Sequence, residues 1–295
     1  MKIGSRMYLY AKLCRLDRPI GILLLLWPTL WALWIASEGR PTWWIVAIFI
    51  TGTILMRSAG CVINDYADRH IDIHVERTRE RPITSGKVNP KEAIWLATAL
   101  SILAFCLVLP LNSLTQWLTL PALFLAASYP FTKRFLAVPQ AYLGIAFGFG
   151  IPMAFSAQNN EIPDIAWLLV LANILWCIAY DTEYAMVDRD DDMHLKIHSS
   201  ALFLGRFDIL AVMVCYGGML ACLYLLGEEL QMGTAYYMGL LVAAGIALYH
   251  YSLIRSRRRE DCFRAFLHNN WFGAIIFAGI FLDYLLRTAV GSSVV

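Results

Sequence analysis

The chain has 295 residues, of which 59% are hydrophobic and 16% charged. A soluble domain is typically about 45–50% apolar, so the composition excludes an ordinary water-soluble globule. A formal net charge of +2 offers no electrostatic footprint for nucleic acid.

The apolar residues gather into runs close to the roughly 20 residues that carry a helix across a ~30 Å hydrocarbon core. In chain order the predicted spans are 20–37, 43–63, 93–110, 114–129, 138–157, 164–187, 209–226, 234–254 and 271–286. Pro19, Pro41, Pro90, Pro130 and Pro163 stand near their starts or ends, where a missing N–H costs least. Lys2, Arg6, Lys12 and Arg15 precede the first run and resemble the basic end of a signal peptide. The run itself is Trp-rich, and no convincing small-residue cleavage site follows it, so it is read as a retained first helix. The expected fold class is all-α: a polytopic membrane protein of about nine transmembrane helices, with residues 1–295 forming one domain. Seven cysteines stand singly without CxxC spacing and read as small apolar fillers between helices.

Charge placement predicts topology. With the N-terminus inside, the inner segments hold 21 of the 24 Lys and Arg residues; Arg40 and Arg287 fall outside, and Arg57 lies within the second span. Such asymmetry predicts N-in, C-out. The run Arg255–Arg259 reads as an orientation signal and an anchor to anionic membrane lipid. The long inner connections, 64–92 and 188–208, place the chemistry at the cytoplasmic ends of the second and sixth spans.

The first of those ends reads Asn64-Asp65-Tyr66-Ala67-Asp68-Arg69-His70-Ile71-Asp72. Asn64, Asp68 and Asp72 are spaced four apart, which on a helix lines them along one face. Like charges at that spacing repel, and a divalent cation with a preference for oxygen, Mg²⁺, resolves the repulsion. The second end runs from Asp181 to Asp192, with Asp188 and Asp192 repeating the spacing and Asp181 and Glu183 lying deeper. A solvated acidic helix end explains either motif alone. Two at equivalent ends are better explained by Mg²⁺ shared with a diphosphate, because Mg²⁺ is usually divided between carboxylates and substrate phosphates. Arg77, Arg79, Arg81 and Lys133 lie nearby as candidate diphosphate-binding cations, although positive-inside bias accounts for part of that set.

With these residues in view, the chain resembles the UbiA superfamily of intramembrane prenyltransferases, and more narrowly its 4-hydroxybenzoate branch. The matching stretches are Leu16-Asp17-Arg18-Pro19-Ile20-Gly21, the Asn64–Asp72 motif, Arg77-Thr78, Arg81-Pro82-Ile83-Thr84-Ser85-Gly86, Tyr129-Pro130, and Tyr180-Asp181-Thr182 through Asp192. The resemblance implies a ring-like bundle, Mg²⁺, a polyprenyl diphosphate donor, 4-hydroxybenzoate as acceptor, a role in ubiquinone biosynthesis, and a multi-pass position in a bacterial inner membrane with the active site facing the cytoplasm. It also implies a diphosphate site at Asn64, Asp68, Asp72, Arg77, Arg81, Tyr129, Lys133, Tyr184, Asp188 and Asp192. One stretch departs from the pattern: where the family often has Gly-x-Lys-Ser, this chain has Lys196-Ile197-His198-Ser199.

The implied chemistry is electrophilic aromatic substitution in a chamber that excludes water, with Tyr129 and Tyr184 beside the allylic cation. Arg57 has two readings. It is either a structural partner of Asp181 or Glu183, since an intramembrane Arg needs a partner, or the group that binds the acceptor's carboxylate. Two alternatives to the main reading stay open: a superfamily member with another aromatic or tetrapyrrole acceptor, and a cation-coupled transporter, whose acids would sit nearer the midplane.

Overall fold

The computed structural model describes residues 3–74, 78–132, 135–189, 193 and 199–291. Among them every regular element is a helix: α1 (Ile3–Leu13), α2 (Ile20–Ala36), α3 (Trp43–Asp68), α4 (Pro90–Val108), α5 (Ser113–Thr132), α6 (Pro139–Gly148), α7 (Gly150–Asn159), α8 (Asp164–Val187), α9 (Ser200–Leu204), α10 (Asp208–Glu229), α11 (Thr234–Ile254) and α12 (Arg259–Gly291), with two short 3₁₀ turns. Local chemistry sets several boundaries. α4 begins with Pro90 in its first turn and with the Asn89 side chain accepting from Lys91 N at 2.9 Å, a capped start whose Pro lacks only an N–H that would be orphaned there. Pro28 lies inside α2 and Pro121 inside α5, which membrane helices tolerate where neighbours satisfy the freed backbone groups.

All nine predicted runs fall on helices. Seven described stretches are long and apolar enough to cross a membrane: α3, α4, α6 with α7, α8, α9 with α10, α11 and α12. α2 is apolar but has only 17 residues, while the 20 residues of α5 are diluted by Ser113, Thr115, Gln116 and Thr119. The predicted span 138–157 is interrupted between α6 and α7. The last span is corrected most: α12 starts at Arg259, twelve residues before the apolar run, because Arg259, Glu260 and Asp261 hide its first turn from a reading by hydropathy.

Neighbour relations close into a ring. α2 packs on α3, α3 on α4 and α5, α5 on α6, α6 on α8, α8 on α10, α10 on α11, α11 on α12, and α12 returns to α2 and α8. Aromatic side chains fill the α2–α8–α12 junction, where Trp31 and Trp176 have ring centroids 5.3 Å apart and Phe272 lies 5.9 Å from Trp176. Their indole N–H groups are satisfied: Trp31 donates to Gly273 O at 3.1 Å and Trp176 to Asn269 Oδ1 at 2.8 Å. At the α11–α12 crossing Gly239 meets Gly279, and a Cβ at 239 would lie 3.0 Å from the Gly279 Cα. Small residues permit this close approach of helices that no water-driven force presses together. Trp95, Trp117, Phe124, Leu241, Leu248 and Trp271 face outward and exposed, as suits a lipid solvent rather than water.

A smaller core lies beneath the basic end of the bundle. Leu9, Leu13 and Cys14 bury against Ala59, Val62, Ile83, Val88, Ala93 and Ala97. Glu92, in the first turn of α4, takes hydrogen bonds from Arg6 and Tyr10 of α1, so α1 is tied to the entrance of α4.

Candidate active site

The bundle holds a cavity of about 1440 Å³ lined by α1 to α8 and α12. One end is charged: Lys12, Arg15, Arg18, Asn64, Asp65 and Arg81 line it. Much of the remaining wall is apolar and includes Ile102, Phe105, Leu120 and Leu123 on α4 and α5. Arg57, Tyr129, Tyr180, Asp181 and Tyr184 stand between.

α3 supplies the polar stripe. Arg57 and Asn64 are seven residues apart, two turns and about 10 Å along one face, and both reach the wall. The expectation that Asn64, Asp68 and Asp72 share one helix face is corrected. α3 stops at Asp68, and Asp72 opens a separate 3₁₀ turn that ends at His74. Arg81 gives the reason: its Nη1 lies 2.7 Å from Asp72 Oδ2 and 3.1 Å from Asp65 Oδ1, so the chain folds back around a cation that a straight helix could not place between them. Thr78 Oγ1 donates to Asp72 O at 3.1 Å and closes the turn. Burial pushes the Asp72 carboxyl above the usual carboxylate range, with Arg81 opposing the shift.

Asp65, which the four-residue spacing passes over, is the hub of this end. It is 1% exposed. Besides Arg81 it accepts two bonds from Arg15 Nη2, at 2.9 and 3.2 Å. Arg15 adopts φ +57° in the turn between α1 and α2, an uncommon conformation for a non-glycine residue. The sequence carries signals for both residues: Asp65 stands one helical turn before Asp68, and Arg15 belongs to the basic N-terminal set that predicts topology.

α8 divides its two faces. Tyr180, Asp181 and Tyr184 line the cavity, and Tyr184 packs on Phe266 of α12 with ring centroids 4.6 Å apart. Glu183 points away. Its Oε1 lies 3.1 Å from Tyr216 Oη, and its Oε2 accepts from Asn269 Nδ2 at 2.8 Å. Tyr216 Oη also lies 2.8 Å from His250 Nδ1, and His250 Nε2 is 3.1 Å from His268 Nδ1. A pairing of Glu183 with Arg57 is therefore excluded, and of the two expected structural partners only Asp181 shares Arg57's wall. Past α8, Asp188 occupies the C-cap and lies 3.8 Å from Arg259 Nη2. Arg189, just past that C-cap, and Arg257 both pair with buried Asp208, at 2.9 Å and 2.6 Å.

The predicted residues thus divide into three groups. Asn64, Arg81, Tyr129, Tyr184 and Arg57 line one cavity. Asp68 and Asp72 are buried at its charged end without forming its wall, and Asp188 caps α8. Arg77, Lys133, Asp192, Lys196 and His198 lie outside the described residues. Among the described residues no three His, Cys, Asp or Glu side chains gather as a self-sufficient metal cage. The donors of the first motif are nonetheless all oxygen, an amide and carboxylates, which is the chemistry of a Mg²⁺ ion that completes its shell with water and phosphate.

Residues 25–275 match the UbiA prenyltransferase family, and the chain belongs to that family. It is 62% identical over 286 residues to the 4-hydroxybenzoate octaprenyltransferase of Azoarcus sp. (strain BH72), covering 97% of this chain and 100% of the relative. It is 64% identical over 285 residues to that of Dechloromonas aromatica (strain RCB), covering 96% of each. Among solved structures, the apo UbiA homologue from Aeropyrum pernix K1 superposes with a TM-score of 0.77 at 27% identity, covering 89% of this chain and 97% of that one. A UbiA homologue from Archaeoglobus fulgidus bound to DMAPP and Mg²⁺ has the same fold, with a TM-score of 0.69 at 15% identity, covering 92% and 98%.

Proposed function

We propose that this chain transfers a polyprenyl group from a polyprenyl diphosphate to the ring of 4-hydroxybenzoate, ortho to the hydroxyl, in ubiquinone biosynthesis. The observation that carries the reading is the order of groups along one cavity: cations and oxygen donors at one end, Arg57 about two turns deeper on α3, and apolar wall beyond. The names of the nearly full-length relatives agree with it.

The charged end takes the diphosphate. Arg81 and Arg15, both anchored on Asp65, stand beside it with Asn64, Tyr129 and Tyr184; Arg77 and Lys133 complete the assigned set. Preorganised cations of this kind stabilise a leaving group without reorganising at the moment of reaction. Mg²⁺, when held by Asn64, Asp68, Asp72, Asp188 and Asp192, supplies further neutralisation of diphosphate charge. As the allylic C–O bond breaks, Tyr129 and Tyr184 face the developing cation, and the helical walls exclude the water that would quench it. Arg57 holds the acceptor's carboxylate, which points the phenol ring toward the charged end. The hydrocarbon tail lies along Phe105, Leu120 and Leu123 of the apolar wall, all three exposed rather than packed away. In this reading the protein crosses a bacterial inner membrane with its N-terminus and active site on the cytoplasmic side.

The decisive experiment is mass spectrometry of products formed from 4-hydroxybenzoate and donors of several chain lengths by the detergent-solubilised protein with Mg²⁺. Prenylated 4-hydroxybenzoate with release of diphosphate is the expected result. No product with any donor, or a clear preference for another aromatic or tetrapyrrole acceptor, refutes the assignment. Arg57→Ala should raise the acceptor KM about tenfold or more while leaving the donor KM nearly unchanged; equal effects on both would return Arg57 to a structural role.

A further inference from the structure

The stretch Asp17-Arg18-Pro19-Ile20-Gly21 has so far no assigned work. Its glycine lies in the first turn of α2 and on the cavity wall, and the Arg57 guanidinium rests directly on it. A Cβ at position 21 would stand 2.5 Å from Arg57 Nε, 2.5 Å from Nη2 and 2.9 Å from Cζ. On another side the guanidinium meets Phe147, with Cζ 5.5 Å from the ring centroid. Arg57 Nε is buried and has no hydrogen-bond partner among the described residues. The charged head is thus held between bare backbone and an aromatic ring.

We propose that Gly21 is a positioning residue for acceptor specificity: the missing side chain lets the Arg57 guanidinium lie against α2, and so sets where an aromatic carboxylate is held relative to the diphosphate end. The proposal rests on the reading of Arg57 as the acceptor's anchor. The atoms that a methyl at 21 would meet belong to the far end of a flexible side chain, not to backbone. Gly21→Ala can therefore be absorbed by moving the guanidinium about 1 Å, from 2.5 Å out to an ordinary contact of roughly 3.5 Å. Ala is also the better helix former. The substitution is structurally cheap, and its cost falls on the substrate, because a displacement of about 1 Å in a positioning group can lower turnover by up to about 10²-fold.

The test is a double-mutant cycle of wild type, Gly21→Ala, Arg57→Ala and the double variant, assayed with 4-hydroxybenzoate, geranyl diphosphate and Mg²⁺, with thermal midpoints measured alongside. Gly21→Ala should raise the acceptor KM about tenfold, keep the donor KM within about twofold, and leave the midpoint unchanged or higher. In the Arg57→Ala background the same change should have no further effect on the acceptor KM, since Gly21 acts only through Arg57. Additive effects in the cycle overturn the proposal. So does a Gly21→Ala protein with wild-type acceptor KM, with equal changes toward both substrates, or with a lowered midpoint that accounts for its loss. If Arg57→Ala itself leaves the acceptor KM unchanged, the anchor reading fails and takes this inference with it. If Arg57→Ala raises the KM and Gly21→Ala does not, only the inference fails.

Discussion

Asp65 shows how one residue can matter to a site without facing the substrate's reacting atoms. Two arginines from different parts of the chain converge on its buried carboxylate, and Arg81 carries the link on to Asp72. Asp65→Asn keeps the shape and removes the charge that holds both cations. The expected result is a fall in kcat/KM of roughly 10–100-fold, carried mainly by the donor. Steady-state kinetics with each substrate varied in turn will read it, and an unchanged donor KM would contradict the anchoring role. Asp68→Ala, Asp72→Ala and Asp188→Ala belong to a different class. Each should nearly abolish turnover while the protein still inserts, as should chelation of Mg²⁺ by EDTA; full activity in EDTA would sink the metal assignment.

At the level of helices, the four-way network of Glu183, Tyr216, His250 and Asn269 joins α8, α10, α11 and α12. All four residues are buried, and a buried polar group left without its partner costs about 1–3 kcal/mol. Glu183→Ala should therefore lower the thermal midpoint markedly, Glu183→Gln much less, and neither should shift the acceptor KM of the protein that remains folded. The Gly239–Gly279 crossing makes a parallel case: Gly279→Val overpacks it, at about 1–3 kcal/mol, readable as a lower midpoint at unchanged KM. The helices themselves were legible because the length of an apolar run reports on the thickness of the bilayer directly. The end of α3 was not. A four-residue spacing is compatible with a continuous helix, and only Arg81, nine positions beyond Asp72, shows why the chain turns there. That Glu183 turns away from Arg57 is hidden from the sequence for a similar reason. Position along a helix says how deep a carboxylate lies, while its face depends on neighbours that composition does not reveal. Gly21 was visible as part of a motif, but its contact with Arg57 joins two helices and has no trace in either one alone.

For the whole molecule, the charge asymmetry leads to a topology that reporter fusions can check. A reporter placed after Arg258 should be cytoplasmic and one placed after Arg40 external; the reverse pattern would invert the reading of the sequence. The ring has one further consequence. The cavity takes its lining from α1 to α8, the turns beside them and α12, and none from α10 or α11 among the described residues. Among the described residues those two helices reach the site through other parts of the chain, by bracing α8 and α12 and through the Asp208–Arg189 pair. Mutational drift should therefore be felt differently around the circle. In a library of random variants, changes on α10 and α11 should sort by how much protein accumulates, while changes on α3 and α8 should sort by how fast each molecule works. A selection for catalyst quality would leave α10 and α11 nearly silent, and a selection for shelf life would find most of its gains there.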